Sequence, residues 1–131
     1  MPFSSLINLS SLNGTNGFRL DGVAGDDQSG RSVASAGDVN GDGYADIIIS
    51  APYADPNGLS SGSSYVVFGK AGGFTSTINL SSLNGTNGFK LAGVAAYDYT
   101  GYSVASAGDV NGDGYADLIV GASGADASGT D

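Results

Sequence analysis

With 131 residues the chain is long enough for one modest domain. Its 13 acidic residues are all Asp and face only 4 basic ones, for a formal net charge of −9; the scattered Arg19, Arg31, Lys70 and Lys90 argue against nucleic acid or an anionic membrane surface as a partner. The chain has no cysteine for a disulfide or thiolate site, and no apolar run near the ~18 residues a transmembrane helix needs.

In chain order, Met1-Pro2-Phe3-Ser4 has neither the charged start nor the apolar core of a signal peptide. Ile7-Asn8-Leu9 reads as a short extended piece. The run Asn13-Gly14-Thr15-Asn16-Gly17 is turn-prone, and Phe18-Arg19-Leu20 after it is a strand candidate. A second strand is expected over Gly30–Ala36, where small residues suit a crowded position such as the inner strand of a ring. A third covers Asp46–Ala51, built on the β-branched run Ile47-Ile48-Ile49. A fourth is Ser64-Tyr65-Val66-Val67-Phe68. No long segment has helical periodicity.

The chain then repeats itself with a period of 71 residues, so that residues 3–60 align with 74–131 without a gap. The copies of the extended piece and first strand are Ile78-Asn79-Leu80 and Phe89-Lys90-Leu91. A long repeat made of short strands points to a propeller or a β-array.

Between the second and third strands lies Asp38-Val39-Asn40-Gly41-Asp42-Gly43-Tyr44-Ala45-Asp46, which returns unchanged as Asp109–Asp117. Side-chain oxygens fall at loop positions 1, 3, 5 and 9, with glycine at position 6, where a loop wrapping an ion turns sharply. Ca²⁺ takes six to eight oxygen ligands. Asp38, Asn40, Asp42 and Asp46 would supply side-chain oxygens and Tyr44 its backbone carbonyl. Asp109, Asn111, Asp113, Tyr115 and Asp117 would do the same at a second site. The loop is not an EF-hand, because position 12 is Ile49 or Val120 instead of a bidentate Glu. The alternative is an empty Asp/Asn/Gly turn, which would leave three carboxylates per loop in mutual repulsion.

The order of strand, loop and strand resembles the FG-GAP repeat, the blade repeat of integrin α-subunit β-propellers and of many bacterial surface proteins. The resemblance rests on Gly30-Arg31-Ser32-Val33, Gly37–Gly43 and Asp46–Pro52, and on Gly101–Val104 with Leu118–Ser123 in the second copy. Ser29 and Thr100 stand where the family has Phe, Ser50 replaces a Gly and Ser123 a Pro; none is a proposed ligand. The resemblance implies an all-β fold of β-propeller-type blades, each a four-stranded antiparallel sheet, with about two blades here and the second incomplete. Residues 30–37 would be the inner strand, 46–51 the second, 64–68 the third and 86–91 the outer; residues 15–20 would be the outer strand of a preceding blade. Residues 1–131 would form one propeller segment, with 61–73 holding the third strand of the first repeat.

Since a closed propeller needs about four to eight blades, the chain is expected to join further copies as a ring or filament, or adjacent repeats of a longer protein. A calcium-stabilised structural or adhesive role in an extracellular or cell-surface (secreted) setting follows from the same resemblance. An enzyme is not expected: His, Cys and Glu are absent, and Asp26, Asp27 and Asp98 read better as polar turn residues. The remaining alternative is recognition of a protein or glycan ligand by Tyr53, Tyr97, Tyr99 and Tyr102.

Overall fold

The computed structural model describes residues 3–126. Its strands are β1 (Arg19–Asp21), β2 (Val33–Gly37), β3 (Asp46–Ala51), β4 (Ser63–Val67), β5 (Thr77–Asn79), β6 (Gly88–Ala92), β7 (Thr100–Gly108) and β8 (Asp117–Ala122). Single 3-10 turns cover Leu9–Ser11 and Leu80–Ser82, and no α-helix occurs among the described residues.

β2, β3, β4 and β6 form one antiparallel sheet in that order, the expected blade from inner to outer strand. Side chains on a strand alternate between faces, and the run 47–49 uses both. Ile49 joins Ala51, Tyr65, Val67 and Leu80 on one face, with Ile47 packed against them. Ile48 joins Ala36, Val66 and Val104 on the other. A strand buried on both faces reads as an unbroken apolar run, as Ile47-Ile48-Ile49 does.

Each face has its own cover. Leu20 of β1 and Ile78 of β5 lie over the first. Val104 of β7, with Leu118 and Val120 of β8, lies over the second. Three layers result, with the four-stranded sheet in the middle. Ile48 and Val66 are fully buried there, each worth roughly 1.5–3 kcal/mol of apolar burial.

The outer layers are two-stranded. β7 and β8 are antiparallel and repeat the β2–β3 hairpin. β1 and β5 pair in parallel, Leu20 opposite Ile78. The expected outer strand of a preceding blade therefore lies beside the connection that leads to β6. Stacked Phe18 and Phe74 rings, 4.3 Å between centroids, hold that join. Ile78-Asn79 is extended because β1 lies alongside it. In the first copy Ile7-Asn8 leads into the equivalent 3-10 turn, and no ladder partner flanks it among the described residues.

Candidate metal centre

Both Asp-rich loops connect an inner strand to the next one, β2 to β3 and β7 to β8. Each wraps around its first Asp. In the first loop, Gly41 N–H and Asp42 N–H donate to Asp38 Oδ1 at 2.7 and 3.1 Å, and Gly43 N–H donates to Oδ2 at 2.8 Å. Tyr44 N–H donates to Asp42 Oδ1 at 2.9 Å, and Asn40 Nδ2 donates to Asp42 Oδ2 at 3.1 Å. The second loop repeats these bonds within about a tenth of an ångström on Asp109, Asn111 and Asp113. Gly41 and Gly112 hold φ of 76° and 75°, a left-handed conformation that a Cβ disfavours.

Asp38, Asn40 and Asp42 are thus brought together, as are Asp109, Asn111 and Asp113. Tyr44 and Tyr115 are about half-exposed, and each would offer its own loop a backbone carbonyl. Asp46 is different: it is 1% exposed at the start of β3. Its Oδ2 accepts Val39 N–H and its Oδ1 accepts Gly69 N–H, both at 2.8 Å. It therefore ties the loop to the turn after β4. Asp117, its counterpart, accepts Val110 N–H at 2.7 Å and is half-buried.

Among the described residues no three acidic side chains form a ready cluster around one point. The donor set nevertheless suits a hard cation. Every side chain offered is an oxygen donor. A carboxylate oxygen that accepts one N–H keeps a further lone pair for a metal. The N–H bonds fix the position of the first Asp, which lowers the ordering cost of binding.

The loops also touch each other. Ala116 N–H donates to the Asp38 carbonyl at 3.0 Å. The Tyr115 ring lies over Gly41, so close that a Cβ there would collide with it.

The four tyrosines do not form one surface. Tyr53 and Tyr99 meet edge to face at 5.5 Å between centroids, and Tyr97 lies 6.4 Å from Tyr99. Tyr102 faces Arg31 instead. Arg31 Nη2 donates to its hydroxyl at 2.6 Å, and the guanidinium carbon sits 4.5 Å from the ring centroid. Asp98 accepts Ala95 N–H at 3.0 Å as a turn residue. Away from the loops, the hydrogen bond from Arg19 holds the Asp21 carboxyl below its ordinary range. Burial pushes the Tyr65 phenol up.

The FG-GAP repeat profile matches residues 29–67 and 100–131. The chain belongs to the FG-GAP repeat family. Each FG-GAP match contains one complete Asp-rich loop with the strands on either side of it. Similar proteins include Integrin alpha pat-2 of Caenorhabditis elegans, 40% identical over 103 residues, which cover 76% of this chain and 8% of that protein. Integrin alpha-IIb of Mus musculus is 36% identical over 99 residues, 73% of this chain and 8% of that protein. Integrin alpha-6 of Gallus gallus is 37% identical over 108 residues, 82% of this chain and 9% of that protein. The chain therefore spans under a tenth of the length of these relatives.

Sequence reasoning missed the Gly69 N–H that holds Asp46, the contact of Tyr115 with Gly41, and the Arg31–Tyr102 pair. Arg31 and Tyr102 occupy equivalent positions in the two FG-GAP repeats. Their difference puts a cation against a phenol where two identical arginines would repel. The repeat period alone could have paired these two positions.

Proposed function

We propose that this chain is a calcium-binding structural and adhesive β-propeller segment, residues 1–131, of an extracellular or cell-surface protein, and not an enzyme. The observation that carries this reading is the loop pair. Two identical nine-residue loops each fold around their first Asp and hold further oxygen donors beside it. Asp38, Asn40, Asp42, Asp46 and the Tyr44 carbonyl would hold one Ca²⁺. Asp109, Asn111, Asp113, Asp117 and the Tyr115 carbonyl would hold another. Bound Ca²⁺ would supply charge neutralisation at each strand-to-strand turn. The chain's own part is to orient the oxygens, through the N–H bonds of Gly41, Asp42 and Gly43 and of Gly112, Asp113 and Gly114. The integrin α relatives support the cell-surface and adhesive part of the reading. Residues 3–60 and 74–131 are its repeats, with the third strand of the first repeat in 61–73. Its neighbours are further copies of the chain in a ring or filament, or adjacent repeats.

Thermal unfolding tests the metal. A ligand of the native state alone raises stability by about 2.7 kcal/mol per site at a hundredfold excess over Kd. Millimolar-scale calcium is expected to raise Tm by several degrees over excess chelator, and Asp42→Ala to remove about half of the rise. Magnesium is expected to do little, since it demands a tighter octahedral shell. An unchanged Tm would contradict the reading.

A second reading, recognition of a glycan or protein, is favoured by the cluster of Tyr53, Tyr97 and Tyr99. Tyr97 and Tyr99 carry positive φ of 66° and 52°. Such conformations cost energy and often mark binding sites. Glycan-array binding lost on Tyr97→Ala would support it.

A further inference from the structure

We infer that the two loops are coupled through a single peptide unit, Tyr115–Ala116, so that a cation in the second loop tightens the first. The inference rests on the calcium reading above.

The peptide between Tyr115 and Ala116 is trans, so its C=O and N–H point in opposite directions. The carbonyl is the position-7 oxygen of the second loop. The N–H donates at 3.0 Å to the carbonyl of Asp38, the first residue of the first loop. On the calcium reading, one rigid plane would have its acceptor end in the second site, while its donor end is on the first loop. A cation on the carbonyl draws electron density from the amide and strengthens the N–H as a donor, the cooperative effect expected along hydrogen-bonded chains. It also fixes the orientation of the plane.

Packing gives the same link a steric side. Cε1 and Cδ1 of Tyr115 are the nearest atoms to the space over Gly41, the turn residue whose N–H holds Asp38. A Cβ on Gly37, just before the loop, would likewise collide with the Ala116 methyl. Among the described residues, the equivalent Gly112 and Gly108 have nothing within 4 Å of where a Cβ would be. Among the described residues the second loop covers the first, and the coupling is reciprocal, so that a cation in either loop favours a cation in the other. Tyr115 acts on the first site as a positioning residue.

Calorimetric titration with calcium chloride tests this on the full chain. Asp113→Ala keeps only the first site and Asp42→Ala only the second. Coupled sites make the wild type bind at least about fivefold more tightly than the sum of the two single-site isotherms, within the usual range for allosteric coupling. Tyr115→Phe keeps the ring carbons and should leave the excess intact, whereas Tyr115→Ala should reduce it. Gly41→Ala and Gly112→Ala carry the same φ penalty, but only Gly41→Ala meets the tyrosine, so only it should lower the excess. A wild-type isotherm equal to the single-site sum overturns the coupling while leaving both metal sites standing. No saturable binding by the wild type overturns the metal reading and the coupling with it. Amide hydrogen exchange at Ala116 in Asp42→Ala gives an independent readout. It should slow on adding calcium, and an unchanged rate counts against the bridge.

Discussion

The two repeats carry the same loop and nearly the same hairpin, yet among the described residues they are buried to different extents. Ile48 in β3 is 0% exposed, while its counterpart Ile119 in β8 is 59% exposed. Asp38 is half-buried under Ala116, and Asp109 is exposed. The loop hydrogen bonds hardly differ between the copies. Local sequence therefore settles the hairpin and its loop, and neighbours settle burial. The first copy has β1 and β5 on one face and β7 and β8 on the other. A repeat unit of this kind cannot bury both faces alone.

Equivalent substitutions can break or sharpen this contrast. The largest effect is expected at the core. Ile48→Ala should cost about 3–4 kcal/mol in urea unfolding, the range for a cavity in a packed interior. Ile119→Ala should stay within about 0.5–1 kcal/mol, as at an exposed site. Equal losses would mean that β8 is as buried as β3 in solution.

Next comes the carboxylate at loop position 9. In chelator, where no metal contributes, Asp46→Ala strands the N–H groups of Val39 and Gly69. It should cost about 3 kcal/mol, since each unsatisfied buried donor costs about 1–3 kcal/mol. Asp117→Ala frees only the N–H of Val110 and should cost about 1 kcal/mol. Chemical denaturation of both variants side by side checks the difference.

The smallest effect is expected where the repeats differ in sequence. Tyr102→Ala removes an exposed hydrogen bond and cation–π contact to Arg31 and should cost about 1 kcal/mol or less. Arg31→Ala should cost a similar amount, and the double variant no more than either alone. Additive losses in that cycle would show that the two side chains do not interact.

What could be read from the sequence was local or periodic. The turn of the loop was legible because its Asp, Asn and Gly residues sit within nine positions. Asp46–Ala51 was legible as a strand to the residue, because an acidic loop ends there and a β-branched run begins. The blade order followed from the family resemblance and the repeat. What escaped were contacts between distant segments. Asp46 meets Gly69 across the sheet, and β1 finds β5 in parallel register, Leu20 on Ile78. Tyr115 reaches back to Gly41. None of these leaves a period in the chain. The tyrosines divide as well: Tyr97 and Tyr99 sit on the loop beside Tyr53, whereas Tyr102 lies on β7 and faces Arg31, just before β2.

On the proposed function, each loop would hold one calcium ion. Native mass spectrometry of the intact chain, equilibrated with calcium and desalted into volatile buffer, counts those ions directly. Two ions per chain are expected for the wild type, one for Asp42→Ala and one for Asp113→Ala. A wild-type mass without bound calcium, or a count that neither substitution lowers, would contradict it.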